Sequence, residues 1–139
     1  MQFQPYLTFD GNCEEALRFY ERVLGGEMQM MMKMADAPQA CGPLPEGSGD
    51  RIMHACLVLD GSMLMASDTM PGQPFERMAG FGVALTYPTA QAARPVFEAL
   101  AEGGKIMMPF GETFWADAFG GVTDRFGTPW MINGGPKQI

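Results

Sequence analysis

Hydrophobic and polar positions alternate from the start of the chain. Phe3, Pro5, Leu7 and Phe9 interleave with Gln2, Gln4, Tyr6 and Thr8, the period-two pattern of a strand with two unlike faces. Asp10-Gly11 turns the chain, and Asn12 stands three residues before Glu15, a capping-box spacing that predicts a helix start. Cys13, Leu17, Tyr20 and Leu24 then form one apolar stripe at helical intervals, and Gly25-Gly26 ends it by allowing a left-handed cap. In Met28 to Met34 the even positions are all methionine, which predicts a strand with a methionine face. Residues 35–50 carry three prolines and three glycines and read as a long loop, of the kind that often serves as a functional lid.

Arg51 to Leu59 and Ser62 to Ala66 predict two strands joined through Asp60-Gly61, the strongest short hairpin signal in the chain. A Pro/Gly segment from Met70 to Gly80 follows, and then the same order returns. Phe81, Val83, Leu85 and Tyr87 mark a strand; Thr89 is a helix cap; Ala93, Phe97 and Leu100 are the buried stripe; Gly103-Gly104 is the stop. Pro95 argues for a helix that starts later than Thr89 or is kinked, because proline removes a helical hydrogen bond. Lys105 to Met108, Trp115 to Thr123 and Pro129 to Asn133 supply three further strands. Strand, helix and three strands, twice over, give one α+β domain across 1–139, with a first module at about 1–70 and a second at about 80–137.

Composition narrows the partners. A net charge of −7, from nine Lys+Arg against sixteen Asp+Glu, leaves little basic surface for a nucleic acid. The three cysteines, Cys13, Cys41 and Cys56, show no CxxC or Cys/His spacing, so zinc-finger and redox-motif readings fail. Neither a leader pattern nor an apolar run of membrane-spanning length is present, which makes the cytoplasm the expected location and a membrane partner unexpected.

At this point the residues resemble a family. Pro5-Tyr6-Leu7, Gly11-Asn12-Cys13, Ala16 to Tyr20 and Leu24-Gly25 resemble the opening of PhnB-like proteins, members of the glyoxalase/bleomycin-resistance/dioxygenase or vicinal oxygen chelate superfamily. Met53-His54-Ala55, Leu64 to Asp68, Trp115-Ala116 through Phe119-Gly120, and Asp124 to Trp130 continue the resemblance; Arg125 stands where the family usually has proline. The resemblance implies two βαβββ modules whose mixed sheets curl into a cup around a cavity, commonly as a homodimer. It also implies a divalent metal held by the first and last strands of each module. Matched by motif, those positions fall on Pro5, in Met63 to Ala66, near Gly82 and near Met131, none of which offers a hard-metal donor. No metal and no other cofactor is therefore expected. Some PhnB-like chains are labelled demethylubiquinone methyltransferases, yet no GxG-type strand-to-helix turn able to hold a nucleotide cofactor occurs here.

Five residues are candidates for ligand binding. His54, the only histidine, shares a strand face with Ile52, Cys56 and Val58; it reads as a general base or replacement ligand, or else as a structural histidine. Asp68 ends a strand and either meets a ligand at the cavity rim or caps the turn into Thr69-Met70-Pro71. Trp115, Asp117 and Phe119 share one face, suited to a small or cationic ligand or to core packing with Asp117 at a wet edge, and Glu112 is a weaker candidate beside them. The preferred expectation is a metal-independent dimer that binds a small organic molecule. The alternatives are a metal-assisted lyase, isomerase or dioxygenase using His54 in an atypical ligand set, and a dimer whose cavity is filled by its own methionines.

Overall fold

Strand β1 (Tyr6–Phe9) starts at Tyr6 rather than Gln2, because Pro5 has no N–H to give a sheet ladder. Its carbonyl still accepts the Met65 N–H at 3.1 Å, so pairing begins at that point. The computed structural model describes residues 1–37 and 44–138 and falls into two units, Met1–Glu76 and Arg77–Ile139. Among the described residues no helix is long and apolar enough to cross a membrane.

The first unit runs β1, α1 (Cys13–Leu24), β2 (Glu27–Lys33), a 3-10 turn at Met34–Asp36, β3 (Ile52–Leu59) and β4 (Ser62–Asp68). The sheet order is β1-β4-β3-β2, with β1 parallel to β4 and the other neighbours antiparallel. Helix α1 buries Cys13, Ala16, Leu17, Phe19 and Tyr20 and ends on Gly25 at φ 80°, as the Gly-Gly stop predicts. Its N-terminus differs from the capping-box expectation, since the Asn12 side chain makes no cap bond. The Asp60-Gly61 hairpin forms as expected, with φ of 46° and 82°.

The methionine face predicted for β2 is split. Met28 pairs with Leu57 while Met30 pairs with Cys56, so a bulge at Gln29 reverses the alternation. Met28 and Met31 follow Leu57 and Ala55 on one face; Met30 and Met32 follow Cys56 and His54 on the other. The start and end of the 35–50 loop are clipped together, Met34 N–H donating to the Arg51 carbonyl and Ala35 N–H to that of Gly49. Residues 38–43, the centre of the expected lid, lie outside the described residues.

The second unit repeats the order as β5 (Val83–Tyr87), α2 (Ala90–Ala101), β6 (Lys105–Gly111), β7 (Ala116–Thr123) and β8 (Pro129–Pro136), with sheet order β5-β8-β7-β6. Thr89 caps α2 through its hydroxyl oxygen, which accepts the Ala92 N–H at 3.0 Å. That bond fixes the start of α2 at Ala90, so the later start suggested by Pro95 does not occur and the helix continues through the proline. Close approach of α2 to its sheet depends on two glycines. A Cβ on Gly134 would stand 2.7 Å from the Ala90 Cα, and one on Gly120 would stand 2.5 Å from the Phe97 ring.

Candidate functional site

Register and burial separate the two faces of each sheet. In the first unit Leu7, Phe9, Ala55, Leu57, Leu64 and Ala66 are buried, on the side where α1 packs. Their strand neighbours Tyr6, Thr8, His54, Cys56, Met63, Met65 and Ser67 therefore face away from the helix. In the second unit Gly120 and Gly134 lie against α2, so Phe119, Asp117, Met131 and Asn133 face away. These two helix-free faces carry nearly all of the residues singled out in the sequence.

On the first, Tyr6 and His54 meet across β4. Tyr6 Oη lies 3.3 Å from His54 Nδ1, and the rings stack with centroids 5.8 Å apart. The two residues sit on β1 and β3, which are not neighbours, so the contact spans the intervening strand. A phenol and an imidazole in hydrogen-bond reach make an adjustable donor–acceptor pair for a polar ligand group. Tyr6 was not visible as a partner in the sequence, because only the register shows what lies across from it.

Asp68 leaves the set of ligand candidates for a physical reason. It is 2% exposed on the helix side of β4 and binds backbone rather than solvent. Its Oδ1 accepts the N–H groups of Gly11 at 2.7 Å and Cys13 at 3.1 Å, and its Oδ2 accepts that of Ile52 at 2.8 Å. The expected cap on the following turn is thus replaced by a cap on α1. Two N–H groups at the turn into α1, those of Gly11 and Cys13, are thereby occupied by this carboxylate. The same carboxylate acts on chemistry nearby: burial first, then the Asp68 charge, then Glu14, push the Cys13 thiol far above its ordinary range.

On the second face Trp115, Asp117 and Phe119 do share one side, as their spacing predicts. The Trp115 indole N–H donates to Asn133 Oδ1 at 3.1 Å, and its ring stands edge-on to Phe119 at 5.3 Å and to Phe114 at 4.8 Å. Asp117 is exposed, and its carboxylate lies against Gly135, where no Cβ intervenes. Aromatic faces beside an exposed carboxylate suit a ligand with a cationic or aromatic part. Glu112 takes no part in this cluster. It pairs with Lys137 at 2.7 Å, which holds its carboxyl below the ordinary range.

The superfamily's divalent metal does not fit the residues present. The four matched positions come together in pairs: the Pro5 carbonyl bonds the Met65 N–H, and Met131 lies against Gly82. Pro5, Gly82, Met131 and the residues of Met63 to Ala66 offer no side chain suited to a hard divalent ion. Among the described residues no group of three or more His, Cys, Asp and Glu side chains lies together.

The paired βαβββ units define the glyoxalase/bleomycin-resistance fold. A glyoxylase/bleomycin resistance protein/dioxygenase domain from Frankia sp. EAN1pec shares it, with a TM-score of 0.67 at 14% identity over 96% of this chain and 95% of that one. The profile of the family described as 3-demethylubiquinone-9 3-methyltransferase matches residues 1–133. The chain belongs to this PhnB-like family. It is similar to protein PA1353 from Pseudomonas aeruginosa, with 45% identity, 96% of both chains covered and a TM-score of 0.89. Protein YjdN of Escherichia coli is 39% identical over 96% of this chain and 95% of that protein. The PhnB protein from Bacillus cereus is 25% identical over 96% and 98% of the two chains, with a TM-score of 0.77.

Proposed function

We propose that the protein binds a small organic molecule on a helix-free sheet face, as a homodimer and without the hard divalent ion of its superfamily. One observation supports this reading above others. Beside the positions where the superfamily holds its metal, this chain carries aromatic groups already paired with polar partners, Tyr6 with His54 and Trp115 with Asn133. Tyr6 is the register partner of Met65, and Asn133 lies two residues beyond Met131 on β8. Each of these faces, built of rings, thioethers and a few hydrogen-bonding groups, matches the make-up of small-molecule sites.

Methyl transfer, which the family description names, does not belong to this reading, because the turn into α1 has no GxG pattern and two of its N–H groups, those of Gly11 and Cys13, are taken by Asp68. The Tyr6–His54 contact supports one competing reading, an enzyme in which His54 serves in an atypical metal-ligand set or as a general base.

A thermal-shift screen of divalent ions and small metabolites, with and without chelator, separates the two, since a ligand of the folded state raises stability. Stabilisation by aromatic or cationic compounds, unchanged by chelator, is the expected result. Stabilisation by a divalent ion that disappears in His54→Ala would overturn it. Sedimentation velocity tests the dimer independently, and a monomer at micromolar concentration would remove that part of the proposal.

A further inference from the structure

The helix-free face of the first sheet places soft donor atoms side by side. Met30, Cys56 and Met65 are successive register partners on β2, β3 and β4, with Tyr6 next to Met65 on β1. In the adjoining row Met32 is the partner of His54. Opposed residues on one sheet face have Cβ atoms about 5 Å apart, within the reach of flexible thioethers on either side of a thiol. Cys56 is a free thiol, 7% exposed. His54 stands two residues along the same strand with Nδ1 turned to Tyr6, and no hydrogen bond engages its Nε2 among the described residues. Tyr6 and Met65 are partners, so the Tyr6–His54 contact spans the strand that carries Met65.

The bulge at Gln29 is what creates this row. Without it Met28 and Met30 would share a face, and Cys56 would have one flanking thioether instead of two. A thiol between two thioethers, with an imidazole alongside, is a donor set for soft ions and a poor one for hard ions.

We propose that this row binds a soft monovalent metal ion, Cu(I) or its redox-inert analogue Ag(I), through Cys56, Met30 and Met65, with His54 Nε2 as the further donor. Binding replaces the thiol proton: the S–H bond breaks, a sulfur–metal bond forms, and one proton passes to solvent with no change of oxidation state. The site differs in chemistry from the superfamily's divalent centre. It shares His54 and Met65 with the face of the organic-ligand reading, but a protein that binds no metabolite would still hold the ion.

The test is competition for Cu(I) against a chromophoric chelator under reducing conditions, repeated with Ag(I) by calorimetry. One tight ion per chain is expected, retained in Cys41→Ser and Cys13→Ala and lost in Cys56→Ser. Met30→Leu/Met65→Leu nearly preserves side-chain volume and so keeps the fold; it should weaken binding by about tenfold or more. Wild-type affinity in that double variant would mean a bare thiol holds the ion, and would overturn the proposal. So would unchanged binding in Cys56→Ser. Should Cys56→Ser fail to fold, the double variant alone decides.

Discussion

The carboxylate of Asp68 accepts the N–H of Cys13 at 3.1 Å, joining the end of β4 to the start of a helix 55 residues earlier. The same carboxylate holds the turn at Gly11 and the first residue of β3. One buried charge therefore fixes three backbone segments whose N–H groups would otherwise lack partners. Asp68→Asn should lower unfolding stability by about 2–4 kcal/mol, because a charged acceptor of three N–H groups is exchanged for an amide that turns a donor toward some of them. Asn12→Ala should stay within about 0.5 kcal/mol, as its side chain caps nothing. Urea titration checks both; equal losses would return the cap to Asn12.

Thr89 gives the opposite case, a cap that is local. Thr89→Ala should cost about 1 kcal/mol, the usual loss when a capping hydroxyl is removed. An unchanged melting midpoint would contradict the bond to Ala92.

Cys13 predicts an alkaline weakness. Its thiol is held above the ordinary value of 9.0, so the folded state keeps a proton that the unfolded chain releases. Below that pH both states are protonated and stability does not respond. Above it stability falls with rising pH, by up to about 1.4 kcal/mol per unit. Cys13→Ala removes this component, so unfolding free energies of the two proteins should converge between neutral and strongly alkaline pH. Parallel declines would refute the assignment.

The glycines beneath α2 should differ in tolerance. Gly134→Ala meets backbone at Ala90 and should cost about 2–3 kcal/mol; Gly120→Ala meets mainly the Phe97 ring, which can turn, and should cost nearer 1 kcal/mol. Thermal melts of both variants order them, and the reverse order would mean that the ring is more firmly held than the helix.

Tyr6→Phe separates binding from folding. The side chain lies on a face not covered by α1, so stability should change by less than about 0.5 kcal/mol. Affinity for any small molecule that the thermal-shift screen identifies should fall by up to about tenfold through the lost hydroxyl. A drop in stability without a change in affinity would make Tyr6–His54 a structural pair.

Features written in local chemistry were legible in the sequence: the Asp60-Gly61 turn, the Thr89 cap, the Gly25 stop, and the shared face of Trp115, Asp117 and Phe119. Features that depend on what lies across a sheet were not. The destination of Asp68, the partners Tyr6 and Asn133, and the bulge at Gln29 all require a register that no single segment contains. The bulge in particular defeats periodicity, since an alternation of methionines assumes an unbroken ladder.

The irregular ladders have a consequence for the outermost strands. β2 and β6 are each the last strand on one side of a sheet, each exposes apolar side chains, and each shows two breaks in register. In β6, Pro109 withholds an N–H as well. A stray chain meeting either strand finds a broken row of donors and acceptors instead of a template for continuous cross-chain pairing. The cost of wearing Met30, Ile106, Met107 and Met108 at sheet margins is a tendency to aggregate, and these kinks restrain it.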